Sequence, residues 1–134
     1  MPKKKKPTHE KFEGTSQHGQ FAKITYSMMG SKAWHSLSPS QMGLYILFKA
    51  KFRGNNLHNI SFPRSEYKEI KTYSNQRTFY RDLDALIEAG FIIVVSSGKT
   101  TRTPNIYGLS EMWKKYGTAE FNIHHNERRA TRGK

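Results

Sequence analysis

Asn75, Gln76, Arg77 and Arg81 share one segment, SNQRTFYRDLDALIEAG over residues 74–90, and its apolar spacing predicts a helix. Carboxamides pair a donor with an acceptor and can read the edge of adenine, while guanidiniums fork onto guanine or phosphate. Side chains of this kind in the first turns of a helix sit where backbone N–H groups lack partners and the dipole is positive, a setting that favours a polyanion. At 100° per residue, Phe79, Leu83, Leu86 and Gly90 fall on one stripe with Ile87 at its border, and Tyr80 lies on a flank. Arg77, Arg81, Asp84 and Glu88 fall on the opposite side. The expected solvent face is therefore basic in front and acidic behind, and phosphates would repel the rear, so the helix is expected to enter a groove end-first. Ser74 is the expected N-cap and Gly90 the expected stop.

The catalytic templates find no counterpart. The chain has no glycine loop ending in Gly-Lys-Ser/Thr, no Gly-x-Ser-x-Gly and no His-Glu-x-x-His. Asp82 and Asp84, two apart on a helix, point to different faces and cannot share a metal or a proton. His124 and His125 adjoin in a tail with only Glu120 and Glu127 near in sequence, a poor metal site; His35 and His58 are isolated and expected to be structural. Neither enzymatic activity, nor a metal, nor a cofactor is expected.

Charge narrows the partner. Lysine and arginine outnumber aspartate and glutamate by 23 to 10, giving a formal net charge of +13. The termini do not account for it, because residues 20–116 alone hold 14 basic and 6 acidic side chains. A basic folded part implies an acidic partner rather than a particular fold. Cysteine is absent, which removes disulfides, thiolate nucleophiles and zinc fingers and fits a reducing compartment. No run of about 18 apolar residues exists, and the lysine-rich start lacks the apolar stretch of a signal peptide. A cytoplasmic location without membrane contact is expected.

The elements that must position the arginines follow from patterning. Residues 1–19 and 117–134 are polar, lack periodicity and are expected to be flexible basic tails around a single domain at 20–116. Phe21, Ile24, Met28, Met29 and Trp34 predict a short helix, or two interrupted at Gly30. Ser38, Pro39 and Gln41 have capping-box spacing, and Met42, Leu44, Tyr45, Ile46, Leu47 and Phe48 then predict a helix apolar on most sides that belongs at the centre. An extended piece at Ile60–Phe62, a helix over about 64–70 and a turn at 71–73 precede the segment that carries the arginines. After it, FIIVV and PNIYGL predict two strands joined by the basic loop SSGKTTRT. Met112, Trp113 and Tyr116 are expected to pack on the core, and so are most of the remaining aromatics, Tyr26, Trp34 and Tyr45 among them.

This order, α+β in class, is that of a winged helix-turn-helix with a two-stranded wing. LSPSQMGLYILFK, FPRSEYKEI and SNQRTFYRDLDALIEAGFIIV, in that order, resemble the winged-helix domains at the N-terminal ends of phage replisome organisers and plasmid replication initiators of Gram-positive bacteria; small DNA-binding proteins of conjugative plasmids are similar. The resemblance implies double-stranded DNA as partner, read in the major groove by Ser74, Asn75, Gln76, Arg77, Thr78, Tyr80 and Arg81. It makes Lys99, Thr100, Thr101 and Arg102 the wing. Lys3, Lys4, Lys5 and Lys6 could add a basic arm. Replication proteins of this type continue into a further domain; the short basic end of this chain favours a stand-alone binder at an origin of replication or transfer, or at an operator. The competing expectation is an adaptor of the same fold that docks replication, relaxosome or transcription proteins through exposed Tyr67 and Tyr80, with Trp113. No heptad seam is visible, so the sequence leaves monomer and dimer open.

Overall fold

The computed structural model describes residues 21–98 and 103–123. Helices and an antiparallel sheet share one core, so the class is α+β. Two single-turn helices, α1 (Tyr26–Met29) and α2 (Lys32–His35), are separated at Gly30. Each has a hydroxyl cap: the Met28 N–H donates to Thr25 Oγ1 at 3.2 Å and the Trp34 N–H to Ser31 Oγ at 3.1 Å. The helix α3 (Pro39–Ala50) opens on the expected capping box, in which the Gln41 N–H donates to Ser38 Oγ and the Ser38 N–H to Gln41 Oε1. Then come α4 (Arg64–Tyr67), a 3₁₀ turn (Lys71–Tyr73) and α5 (Gln76–Glu88). The strands β1 (Ile92–Ser96) and β2 (Ile106–Leu109) and a second 3₁₀ turn (Met112–Lys115) complete the order.

The strands pair antiparallel, Ile92 opposite Leu109 and Val94 opposite Tyr107, with a bulge between Val94 and Ser96. The expected strand at Ile60–Phe62 contracts to a bridge in which Ile60 and Tyr107 exchange backbone hydrogen bonds on the other side of β2. Extension stops there because Phe62 turns into the core and Pro63 already serves as the N-cap of α4. That helix is also shorter than its pattern suggests: Lys68 caps it, and the backbone is extended by Ile70.

Aromatic clusters fix α5 near both ends. Near the front, Phe79 stacks on Tyr67 at 3.8 Å between ring centroids and meets Phe62 and Tyr73 edge-on at 5.6 and 5.5 Å. Beyond the rear, Phe91 contacts Tyr45 at 5.1 Å and Trp34 and Trp113 at 5.8 Å. Between them Leu83, Leu86 and Ile87 are buried, as the stripe requires. The rear ends in a Schellman motif, with Gly90 N–H donating to Ile87 O and Phe91 N–H to Leu86 O. Gly90 supplies the left-handed backbone at φ +89°.

Several expectations are corrected. Asp84 is not on the solvent face of α5 but 5 % exposed, and Asp82 is fully buried. The helical wheel treats the helix as lying on one surface, whereas the sheet also approaches its flank: the Asp84 carboxylate lies close enough to the Tyr107 hydroxyl to help raise its pKa. The α3 helix is not enclosed. Leu44, Tyr45 and Phe48 are buried, while Ile46 and Leu47 remain 42 % and 38 % exposed because no element crosses that face among the described residues. Tyr26 is exposed rather than in the core, and His35 and His58 are both on the surface. Trp34, Tyr45 and Trp113 are buried as expected, and Tyr116 packs partly. Packing continues past Tyr116, whose ring meets Phe121 edge-on at 5.4 Å, and Lys115 pairs with Glu120 at 3.1 Å. No helix among the described residues is long and apolar enough to cross a membrane.

Candidate nucleic-acid interface

The front of α5 begins with a cap, and the cap is Asn75. Its Oδ1 accepts from the Arg77 N–H at 2.7 Å from an extended backbone, whereas Ser74 is already in the α region closing the 3₁₀ turn. Ser74 is therefore not the N-cap: the turn extends one residue further before the chain straightens. Capping engages the Asn75 carbonyl that a paired contact with adenine would need, so the amide best able to read a base edge is that of Gln76. The Gln76 and Arg77 side chains are exposed and make no hydrogen bond or ion pair with the described residues. Thr78 and Tyr80 are half-buried, Tyr80 with its hydroxyl pKa raised by burial.

Behind this front lies a buried polar hub that sequence reasoning missed. The Tyr73 hydroxyl donates to Asp82 Oδ2 at 2.8 Å and lies 3.2 Å from the Ser40 carbonyl; Gln41 Nε2 donates to Asp82 Oδ1 at 3.3 Å. Arg81 Nε stands 3.7 Å from the same carboxylate with its side chain two-thirds exposed. Burial, and then the Asp82 hydrogen bond, push the Tyr73 hydroxyl pKa well above its usual value, so it remains a donor at any physiological pH. Gln41 works twice, closing the capping box of α3 through Oε1 and holding Asp82 through Nε2. The hub thus ties the start of α3, the turn and the front of α5 together, which orients Gln76 and Arg77. A signal existed, since Asp82 follows the apolar stripe at Phe79 by three residues, but an aspartate there is silent about its partners.

The electrostatics of this end are one-sided. Arg64, Lys68 and Lys71, on α4 and the turn, are exposed cations that precede Arg77 and Arg81. Of the neighbouring carboxylates, Glu66 is paired with Lys51, Asp82 is buried in the hub, and Glu69 is exposed. The expected acidic rear of α5 reduces to Glu88 at the surface, because Asp84 is buried. That correction removes half of the reason for end-first entry and leaves the helix flank less repulsive to phosphate. Lys68 and Lys71 were readable as cations on the leading helix and turn, yet attention to one helix alone passes over them.

Lys99–Arg102, expected as the wing tip, and Lys3–Lys6, expected as an arm, lie outside the described residues, as do His124 and His125. The base of the loop is described: the Gly98 N–H donates to Asn105 Oδ1 at 2.8 Å and the Thr103 N–H to Gly98 O at 3.1 Å. Tyr67, expected as an exposed anchor for a protein partner, is instead 3 % exposed and stacked on Phe79, and Trp113, expected to join it as an anchor, is 7 % exposed and stacked on Phe91. Among the described residues no group of three or more histidine, aspartate or glutamate side chains could hold a metal ion. Comparison with protein-family models, curated proteins and solved structures returns no match.

Proposed function

We propose that this chain is a winged helix-turn-helix protein that binds double-stranded DNA, with α4, the 3₁₀ turn and α5 as the helix-turn-helix and the β1–β2 hairpin as the wing. The observation that carries this reading is the division of α5. Gln76 and Arg77 stand exposed and without intramolecular partners among the described residues, while the carboxylates of Asp82 and Asp84 are turned inward. A helix front with the positive end of its dipole, a free amide and two guanidiniums matches what a major groove presents. Lys68 and Lys71 fit phosphates beside the groove, and Lys99–Arg102 fit the adjoining backbone or minor groove.

Resemblance to replisome organisers, replication initiators and conjugative-plasmid proteins supports a site-specific role on a mobile genetic element, at an origin or an operator. Selection from a random duplex library, followed by fluorescence anisotropy on the enriched sequence, tests the reading. Enrichment of a defined site, with Arg77→Ala reducing affinity by about 1–3 kcal/mol and blurring the preference, is expected. Equal binding of enriched and scrambled duplexes by parent and variant would overturn it.

A further inference from the structure

Arg77 and Arg81 are both exposed on α5, one turn apart, but their side chains are held differently. The Arg77 side chain makes no ion pair or hydrogen bond with the described residues, whereas Arg81 Nε stands 3.7 Å from Asp82 Oδ1. Consecutive residues of a helix do not ordinarily face each other. Here the pairing follows from the buried hub: the Tyr73 hydroxyl takes Asp82 Oδ2 at 2.8 Å, and Oδ1 is left to Gln41 Nε2 at 3.3 Å and to Arg81. The Asp82 side chain is 1 % exposed and fixed from inside, while that of Arg81 is 67 % exposed.

A guanidinium is a rigid plane with donors on three nitrogens. At Arg81 the inner nitrogen, Nε, faces the buried carboxylate, and the two terminal nitrogens make no hydrogen bond with the described residues. Such a pair of donors can fork onto O6 and N7 of guanine. A fork discriminates only when its plane is aimed, and a long free side chain must first be ordered at an entropic cost. A carboxylate behind Nε removes part of that cost. It adds little to folding, because an ion pair with an exposed guanidinium is screened by water. Asp82 therefore has two separable duties: stability through Tyr73 and Gln41, and aim through Arg81.

We infer that Asp82 is a positioning residue for DNA recognition, which holds Arg81 by Nε and presents its terminal nitrogens to the edge of a guanine in the major groove. The carboxylate itself touches no base. Arg81 is then a specificity-determining residue beside Gln76 and Arg77, with the difference that its aim is set before DNA arrives. Because Tyr73 and Gln41 tie the same carboxylate to the 3₁₀ turn and the start of α3, the guanidinium is registered against the whole helix-turn-helix and not against α5 alone. This assignment rests on the DNA reading above and adds to it a division of labour between a buried and an exposed residue.

Two measurements on the full chain test it. Without DNA, the Arg81 Nε–H of the ¹⁵N-labelled parent should exchange with water at least about threefold more slowly than that of Arg77, and Asp82→Asn, nearly isosteric and with an oxygen left for the Tyr73 hydroxyl, should abolish the difference. With the duplex enriched by the parent, each base pair is replaced in turn and the loss of affinity recorded by anisotropy. Arg81→Ala should lower discrimination about tenfold at one G·C pair, and Asp82→Asn about threefold at the same pair and at no other. In the Arg81→Ala chain, Asp82→Asn should have no further effect on discrimination. Ser31→Ala, which removes the cap of α2 and so weakens folding, should leave every ratio as in the parent. Equal exchange of the two Nε–H groups in the parent overturns the proposal whether or not Asp82→Asn folds. So does discrimination unchanged in Asp82→Asn, lowered evenly at all pairs, or lowered equally when Arg81 is already alanine. A parent that enriches no duplex sinks the DNA reading and this proposal together, whereas any of the other failures in a selective parent sinks this proposal alone.

Discussion

Asn75 and Gln76 are adjacent carboxamides with separable duties. The Asn75 side chain accepts from the Arg77 N–H and so belongs to the architecture of the helix, while Gln76 is exposed and has no partner among the described residues. Asn75→Ala should cost about 1 kcal/mol of stability as a lost N-cap, seen as an earlier urea midpoint. Gln76→Ala should leave that midpoint in place and weaken binding to the selected duplex by about 1–3 kcal/mol in an anisotropy titration. Asp82 obeys a different logic. Removing its buried carboxylate leaves the Tyr73 hydroxyl only the Ser40 carbonyl at 3.2 Å, takes the acceptor from the Gln41 amide and releases Arg81. Asp82→Ala is therefore expected to destabilise by about 3 kcal/mol and Tyr73→Phe by about 1 kcal/mol. Because the two groups share one bond, the double variant should fall short of the sum, which equilibrium unfolding of all four chains measures.

At the scale of elements, the stretches with strong local signals appear close to where patterning puts them. The capping box at Ser38, the break at Gly30, the stripe of Phe79, Leu83 and Leu86, and the stop at Gly90 are all local features, visible within a few residues. What patterning cannot see is the second neighbour of a helix. Asp84 reads as a surface carboxylate until the sheet lies against its flank, and Ile46 and Leu47 read as core although no described element covers them. The hub was illegible for the same reason, since Gln41 and Asp82 are 41 residues apart and each has an ordinary local role. Gly90 shows how tightly one joint is drawn. Its backbone is left-handed, and a Cβ there would lie 2.6 Å from the Trp113 nitrogen. Gly90→Ala combines the left-handed penalty with overpacking against backbone, so a loss of about 2–4 kcal/mol is expected in urea unfolding, with the 3₁₀ turn around Trp113 displaced.

For the molecule as a whole, buried phenols set the alkaline limit. Tyr45, Tyr73 and Tyr107 all have raised pKa values, chiefly from burial, Tyr45 moving from 10.0 to about 12. The folded chain then holds protons that the unfolded chain releases. Stability is accordingly unaffected by these groups below about pH 10 and falls as pH climbs through the folded values. Thermal melts between pH 9 and about 12 should record that decline, with no matching loss from these tyrosines on the acid side. Salt probes the opposite property, the excess of surface cations. Lys68 and Lys71 are exposed and unpaired among the described residues, placed on the helix and turn that lead into α5. If they rest on phosphates, each releases counterions and contributes about −0.9 to the slope of log affinity against log salt. Lys68→Gln/Lys71→Gln should therefore flatten the slope by about 2 and weaken every duplex alike, keeping the ratio between selected and scrambled sequences. A flattened ratio with an unchanged slope would move base reading onto the turn and away from Gln76 and Arg77, because phosphate contacts alter affinity uniformly whereas base contacts alter it by sequence.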